Sequence, residues 1–185
     1  MVVALLDFRS NYVHKLGPTL PQTIMEIAVT VVEICVDDLS GSEIAGLLKG
    51  HLDHMAMLSP PDTVHTLDLE SVRVPEVTFW TMWDGPDLLG CGALKELDPT
   101  FAEIKSMRTA PEHRGKGVAE RLVKHILDVA RQRGYQRISL ETGTHADFQP
   151  AHRLYKRFGF DYGDAFADYA ITEHNVCMTL ELARD

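Results

Sequence analysis

The sequence predicts an α+β fold in which one mixed, mostly antiparallel central sheet of about six or seven strands carries helices on both faces. Two observations predict this class. Residues 77–109 have the pattern of three consecutive short strands joined by tight turns, which is typical of an antiparallel meander. The chain then alternates helix, strand and helix only once. It therefore contains one central β-α-β unit and no doubly wound repeat.

Length and composition limit the domain count and the class. The chain has 185 residues, of which 45% are hydrophobic and 24% are charged, values typical of one globular domain. We expect residues 25–185 to form this domain. Residues 1–24, in which glycine and proline interrupt any period, would be a flexible or additional N-terminal arm. The net charge of −9 argues against a nucleic acid as partner, and no apolar run has the length of a membrane span.

The first third of the predicted domain contains a strand and a helix. β-Branched residues from Ile27 to Val36 favour a strand, and Asp37 to Ser40 supply side chains suited to a turn and a helix N-cap. Apolar residues at helical spacing predict a helix from Gly41 to Met57, which Ser59-Pro60-Pro61 would end. A short helix is predicted near Thr66 to Val72.

The meander follows this helix. Its strands are predicted at Val77 to Trp83, Leu88 to Leu97 and Phe101 to Thr109. The segments between them are rich in Asp, Gly and Pro, which favour tight turns. Those turns are Asp84-Gly85-Pro86-Asp87 and Asp98-Pro99-Thr100.

The second half alternates helices and strands. A helix from residue 118 to about 133 is followed by a strand from Tyr135 to Thr142. Asp147 would cap the next helix, Phe148 to Phe158. Two last strands are predicted near Phe160 to Ala165 and Val176 to Leu182. The apolar stripes of the two helices are Val118, Leu122, Ile126, Val129 and Ala130, and Ala151, Leu154, Tyr155 and Phe158.

A glycine-containing segment stands where the first of these two helices begins. Residues Arg114 to Ala119, Arg-Gly-Lys-Gly-Val-Ala, have the form R-x-x-G-x-A. The first N–H groups of a helix have no partner within it, and the helix dipole adds partial positive charge there. Gly115 and Gly117 would let ligand oxygens approach the backbone closely. The segment therefore suits a phosphate or pyrophosphate, although Glu120 occupies the place of the third glycine of a dinucleotide fingerprint.

Charge is distributed unevenly along the chain. From Met107 to Arg157 there are eleven Lys and Arg residues against five Asp and Glu. The remainder therefore carries a net charge of −15 against the total of −9. The basic part contains the glycine segment, as expected for an anionic ligand, and the acidic part suits either a cationic partner such as an amine or solubility alone.

Two motifs together resemble a known superfamily. The segment Ile104 to Leu122 and the run Ala151 to Phe160, which has the pattern A-x-x-L-Y-x-x-x-G-F, resemble the GNAT superfamily of acetyl-CoA-dependent N-acetyltransferases. More narrowly, Leu58 to Pro61, Gly90 to Leu97 and Ile104 to Thr109 resemble the bacterial YsnE-like acetyltransferases. The resemblance implies a GNAT-like fold, acetyl-CoA as co-substrate without a metal, and acetyl transfer to a primary amine.

The resemblance also implies which residues hold acetyl-CoA. The N–H groups of Arg114 to Ala119 would bind the pyrophosphate, and the backbone of Met107 and Thr109 would pair with the pantetheine arm. The N–H of Met107 or Arg108 would polarise the thioester carbonyl. Phe148 stands where the family often has Asn, which puts one amide contact in doubt. The implied cofactor-binding residues are Met107, Arg108, Thr109, Arg114, Gly115, Lys116, Gly117, Val118 and Ala119.

Two catalytic residues are implied in the same way. Tyr155 would be the general acid that protonates the leaving thiolate, although its spacing fits a core position equally well. Glu103 would be the general base, because its stretch matches the strand that carries the base glutamate in the histone-acetylating branch. Glu141 is the second candidate for the base, followed by His54 and His145.

We expect the acceptor to be a small-molecule amine or an amino-acid-like compound, attacked directly without a covalent enzyme intermediate. Protein lysine or N-terminal acetylation is the alternative reaction, and a non-catalytic acyl-CoA-binding module is the alternative class. The first helix, Ser59-Pro60-Pro61, Trp80 and Trp83 would line the acceptor pocket. Three cysteines without a C-x-x-C pair predict a reducing cytoplasm and no zinc site. A homodimer is compatible with such a fold.

Overall fold

The structure is a computed structural model that describes residues 31–58 and 72–183. The described helices are α1 (Ser42–Leu58), α2 (Val118–Gln132) and α3 (Gln149–Arg157), with short 3-10 turns at Pro111–His113 and Ala146–Phe148. The described strands are β1 (Val32–Val36), β2 (Val77–Asp84), β3 (Asp87–Asp98), β4 (Phe101–Thr109), β5 (Arg137–Gly143), β6 (Asp161–Gly163) and β7 (Asn175–Glu181).

These strands form one seven-stranded sheet with the order β1-β2-β3-β4-β5-β7-β6. Neighbouring strands are antiparallel except β4 and β5, which are parallel and are connected through α2. A parallel pair requires a crossover, and a helix is its usual form. The structure thus confirms the predicted mixed, mostly antiparallel sheet with one central β-α-β unit.

Most predicted elements agree with the structure to within about two residues. The meander strands agree best, because their turns carry strong signals: Asp98 Oδ1 accepts the Thr100 N–H at 2.7 Å, and Gly85 has a φ of 57°. The described part of β1 begins at Val32. Several predictions lie outside the described residues, namely the arm 1–24, the start of the first strand, the bend at 59–61 and most of the short helix at 66–72.

Helices cover both faces of the sheet. On one face, α2 and α3 share a buried cluster with sheet residues that include Trp80 and Ile104. On the other face, α1 packs on Phe79, Cys91 and Ala93. The alternation of Phe79 and Trp80 between the two clusters is the period of two expected of a strand buried on both faces. Among the described residues, no helix has both the length and the apolar character needed to cross a membrane.

The apolar stripe of α2 is wider than the sequence pattern suggested. Val123 and Leu127 are buried as completely as Leu122 and Ile126, while Val129 packs only partly against the core. Each fully buried aliphatic side chain stabilises the folded state by about 1.5–3 kcal/mol relative to an exposed one. The helix ends at Gln132, and Gly134 follows it with a left-handed φ of 81°, as expected for a terminating glycine.

The predicted cap of the next helix is wrong. Asp147 lies inside the 3-10 turn that precedes α3, and the side chain of His145 accepts the N–H of Asp147 at 3.3 Å. The N-terminus of α3 at Phe148 has no side-chain cap. The 3-10 turn takes up the residues that the sequence pattern assigned to the first turn of the α-helix, so the α-helix begins one residue later.

Candidate active site

The sheet opens in its centre. β4 and β5 are paired only at Phe101–Arg137, Ala102–Ile138 and Glu103–Ser139. Beyond Glu103 both strands continue, β4 to Thr109 and β5 to Gly143, without pairing to each other. The edge of β4 that faces β5 therefore offers unpaired backbone groups along the second half of the strand, and an extended ligand could add there as a strand does.

A bulge reshapes this half of β4. Cys91 pairs with Arg108 and Ala93 with Lys105, so two residues of β4, Ser106 and Met107, oppose one residue of β3. Ser106 adopts a φ of 55°. A bulge of this kind bends the strand and turns a backbone group out of the ladder. The predicted cofactor contacts at Met107 and Arg108 therefore lie on irregular backbone.

Two glycines of β3 make room for the bulge. A Cβ at Gly92 would lie 2.5 Å from the Met107 sulfur, and a Cβ at Gly90 would lie 2.6 Å from the Arg108 carbonyl oxygen and 2.9 Å from a methyl group of Val118. The sequence pattern assigned these glycines only to a strand. Their spacing of two places both on one face of β3, and this spacing was the available signal.

The glycine segment lies at the end of β4, directly before α2. Gly115 and Gly117 have φ angles of 74° and 79°, and a Cβ at either would meet nothing within 4 Å. No side-chain cap closes the N-terminus of α2. Arg114 and Lys116 are exposed, whereas the Val118 side chain is buried. Left-handed glycines, open space and uncapped N–H groups fit a bound pyrophosphate.

Tyr155 lies on α3 and is buried. Its ring packs edge to face on Phe160, with 5.6 Å between ring centroids, and burial raises the pKa of its phenol. His152, one turn earlier, ties the helix to the sheet: its Nε2 lies 2.9 Å from the Gly143 carbonyl oxygen and its Nδ1 lies 3.1 Å from the Tyr162 hydroxyl. The apolar stripe did not include His152, because a histidine carries no clear apolar signal.

Glu103 is almost completely buried, with 2% of its surface exposed. Its Oε1 accepts hydrogen bonds from Lys105 Nζ at 2.7 Å and from the Tyr169 hydroxyl at 2.6 Å. Lys105 Nζ also donates to the Tyr169 oxygen at 2.5 Å. Burial, then the charge of Glu103, raise the pKa of Tyr169. Neither Lys105 nor Tyr169 was among the predicted site residues.

The second candidate base lies on the same side of the sheet. Glu141 on β5 pairs in register with Cys177 on β7, and its charge helps to raise the pKa of Tyr169. The sheet thus directs Glu103 and Glu141 toward Tyr169. His145, by contrast, caps the 3-10 turn.

Two arginines contact backbone carbonyls in or beside α1, and two tryptophans contact side chains of β2 and α2. Arg108 Nη2 donates to the Gly50 carbonyl of α1 at 3.4 Å, and burial lowers the pKa of its guanidinium. Arg73 Nη2 donates to the Leu39 carbonyl at 2.6 Å, at the entry to α1. Trp80 belongs to the core and stacks edge to face on a histidine of α2, so it lies on the face opposite α1. Trp83 Nε1 donates to the Thr81 hydroxyl.

A shallow depression of about 260 Å³ lies away from these residues, at the end of α2 remote from the glycine segment. Its lining residues are Pro75, Glu76, Thr78, Glu96, Arg133 and Tyr135. None of the predicted site residues borders it. In the part of the chain that the structure describes, no three His, Cys, Asp or Glu side chains are placed to hold a metal ion.

Comparison with known proteins identifies the class. Residues 48–160 match the profile of the Acetyltransferase (GNAT) family. The chain is 50% identical over 151 residues to the uncharacterized N-acetyltransferase YsnE of Bacillus subtilis (strain 168), covering 82% of this chain and 100% of that relative. It is 44% identical over 152 residues to the uncharacterized N-acetyltransferase YedL of Escherichia coli (strain K12), covering 82% and 96%. The chain therefore belongs to the GNAT family and is an acyltransferase.

Solved structures agree on the fold. A crystal structure from Klebsiella pneumoniae subsp. pneumoniae superposes with a TM-score of 0.69 at 28% identity, covering 83% of this chain and 99% of that one. An acetyltransferase from Bacillus subtilis, crystallised in complex with CoA, gives a TM-score of 0.61 at 20% identity, covering 83% and 100%. The second likeness concerns the fold alone.

Proposed function

We propose that this protein transfers an acetyl group from acetyl-CoA to a primary amine of a small molecule or amino-acid-like acceptor. The observation that carries the proposal is the parting of β4 and β5 after Glu103, which leaves a free strand edge that leads to the glycine segment. A pantetheine arm extended along that edge would bring a pyrophosphate to the open backbone of Arg114 to Ala119. The CoA complex of the Bacillus subtilis acetyltransferase supports this choice of cofactor.

Acetyl-CoA would supply an acetyl thioester, and the residues of the chain would orient it. The backbone of Met107 and Thr109 would hold the pantetheine arm. The N–H of Met107 or Arg108, at the bulge, would polarise the thioester carbonyl. The loop contacts would come from Arg114, Gly115, Lys116, Gly117, Val118 and Ala119, with Val118 contributing backbone only because its side chain is buried.

The transfer requires one proton to be removed and one to be supplied. The amine nitrogen bonds to the acetyl carbon while the carbon–sulfur bond breaks. Glu103 would take the proton from nitrogen, and Tyr155 would give a proton to the departing thiolate. Burial keeps the Tyr155 phenol protonated, since its pKa is raised. No covalent enzyme intermediate is required.

The burial of Glu103 supports a slender acceptor. A base that is 2% exposed can be reached by the end of a small amine or an extended side chain, but not by a broad surface.

The cytoplasmic location remains a prediction from the cysteines. Cys91 and Cys177 are buried, Cys35 is exposed, and all three are free thiols.

The test is thiol release from acetyl-CoA by the full chain with a panel of amino acids, small diamines and a lysine peptide. We expect turnover on a small amine, and a preference for the peptide would overturn the acceptor class. Tight CoA binding without turnover on any amine would indicate a binding module instead.

A pair of glycine variants tests the cofactor site itself. Gly117→Ala and Gly134→Ala introduce the same left-handed strain, since their φ angles are 79° and 81° and both Cβ positions are open, but only Gly117 lies in the proposed loop. We expect Gly117→Ala to raise the Kd of CoA about tenfold, a change of about 1.4 kcal/mol, and Gly134→Ala to leave it unchanged. Equal effects would overturn the placement of the pyrophosphate.

A further inference from the structure

The Glu103 carboxylate is buried on β4 at the last position where β4 and β5 pair. Its Oε1 accepts from Lys105 Nζ at 2.7 Å and from the Tyr169 hydroxyl at 2.6 Å, and the Lys105–Tyr169 contact of 2.5 Å closes a three-membered ring of hydrogen bonds. The side chains of Lys105 and Glu103 are 21% and 3% exposed. A buried carboxylate without a partner is strongly disfavoured. Lys105 and Tyr169 therefore supply hydrogen-bond partners that the buried Glu103 carboxylate would otherwise lack.

Tyr169 lies in the loop between β6 and β7, and contacts made by this loop hold Tyr169 against Glu103. Phe166 packs on Tyr169 with 5.1 Å between ring centroids and on Phe101 of β4 at 5.8 Å. The Asn175 side chain crosses the loop, donating to the Ala170 carbonyl at 3.1 Å and accepting the Thr172 N–H at 2.7 Å. These contacts fix the loop on both sides of Tyr169, so its hydroxyl position is set by the fold.

Other titratable groups face the ring from the neighbouring strands. Lys95 on β3 is the cross-strand partner of Glu103. Glu141 on β5 and Cys177 on β7 act on Tyr169, and each raises its pKa. Lys105 is the cation that directly contacts the Glu103 carboxylate. Removing Lys105 would therefore take away the cation that contacts Glu103 and leave two carboxylates, Glu103 and Glu141, on the same side of the sheet.

We propose that Lys105 and Tyr169 are positioning residues that hold Glu103 as an oriented carboxylate, ready to accept a proton. Both hydrogen bonds go to Oε1, so Oε2 takes no part in them and is the oxygen assigned to the amine proton. The inference rests on the proposed function, in which Glu103 is the base. An ammonium and a phenol in hydrogen-bond contact both favour the charged form of a carboxylate.

A titration that needs no acceptor tests the electrostatic part. The full chain is labelled with ¹³C at the side-chain carboxyl of glutamate, and the Glu103 signal is assigned by its loss in Glu103→Gln. We expect Lys105→Met to raise the Glu103 midpoint by about one pH unit or more. Lys105→Arg should restore it, and a circular dichroism spectrum checks the fold of each variant. The matched control is Lys124→Met, which removes a lysine from the exposed pair with Asp128. An unmoved midpoint in Lys105→Met would overturn the proposal.

Kinetics test the catalytic part with the amine that gives the fastest thiol release. We expect the acidic limb of the kcat/KM profile to move to higher pH in Lys105→Met by the same amount as the Glu103 midpoint. Tyr169→Phe should lower kcat about tenfold with little change in KM, a fraction of the 10²–10⁴-fold that a positioned base supplies. A limb that stays in place while the midpoint moves would also overturn the proposal. A wild-type rate in Glu103→Gln would instead remove the base assignment, a separate result.

Discussion

At the scale of a single residue, burial determines the acid–base chemistry of Tyr155. The side chain is 6% exposed, and burial raises the pKa of its phenol. The phenol is therefore fully protonated at neutral pH, as a general acid must be before it acts. The same shift makes the phenol a weaker acid, so giving a proton to a thiolate costs more than it would for an ordinary tyrosine.

Replacing the Tyr155 hydroxyl separates its chemical role from its core role. We expect Tyr155→Phe to retain the packing on Phe160 and to lower kcat about 10²-fold or more, within the range for general acid catalysis. Tyr135→Phe is the control. It removes a hydroxyl that donates to Glu96 at 2.6 Å and keeps the ring, on the depression remote from the glycine segment. Full turnover by Tyr155→Phe, measured as thiol release, would leave the residue with its core role only.

The residues of the site differ in how readable they are from the sequence. Glu103 and Tyr155 stand in motifs with fixed spacing, and Lys105, two residues after Glu103 on one strand, shares its face. Tyr169 is 66 residues from Glu103 in a loop without any period. Its position depends on Phe166, Asn175 and the neighbouring strands, and no local pattern encodes that arrangement.

At the scale of elements, the bulge of β4 depends on β3. Gly90 faces the Arg108 carbonyl and the Val118 methyl group, which are fixed atoms or nearly so, whereas Gly92 faces the thioether of Met107, which can rotate. Strand pattern and turn chemistry predicted both strands, but not the extra residue in β4. A bulge has no characteristic amino-acid composition. The local signal for this one was the pair of glycines on β3 opposite it.

An ordered effect of alanine substitutions follows from this difference. We expect Gly90→Ala to lower the free energy of unfolding by about 1–3 kcal/mol through overpacking, with a smaller loss for Gly92→Ala. Gly46→Ala, at an exposed position of α1 with open space, should be stabilising by about 0.5–1 kcal/mol. Urea unfolding measures all three. A greater loss in Gly92→Ala than in Gly90→Ala would show that the close contacts at Gly90 do not determine the geometry of the bulge.

At the scale of the whole molecule, buried acids limit stability at high pH. Burial raises the pKa of Tyr155 and Tyr169 above their ordinary value of 10 and raises that of Cys91 to about 12 from 9. A raised pKa means that the folded state keeps its proton where the unfolded state has lost it. The contribution to stability is therefore complete below the unfolded pKa and is lost progressively above it.

Thermal unfolding between pH 8 and 11 measures this loss. We expect the Tm to fall as the pH rises above about 9–10, where the unfolded thiol and phenols ionise. Tyr155→Phe should fall less steeply over the same range, because one of the raised groups is absent. Equal slopes for the two proteins would contradict a raised pKa for Tyr155.

The fold class and most element bounds were predictable, because the elements are joined by strong local signals, with prolines, glycines and aspartates at the turns. The parting of β4 and β5 was not, since the two strands pair at their first three positions and no local pattern marks where that pairing ends. The resemblance to acetyltransferases implied a site near residues 103–119, and the structure adds the open strand edge that leads from Glu103 to the glycine segment.

The most direct measurement is a crystal structure of the full chain grown with acetyl-CoA. We predict that the pantetheine arm lies along β4 and pairs with the backbone of Met107 and Thr109, while the pyrophosphate contacts the N–H groups of Arg114 to Ala119. The acetyl carbonyl would then lie beside the bulge, on the side of Glu103. Acetyl-CoA bound outside the gap between β4 and β5, or a pyrophosphate away from the glycine segment, would contradict the account.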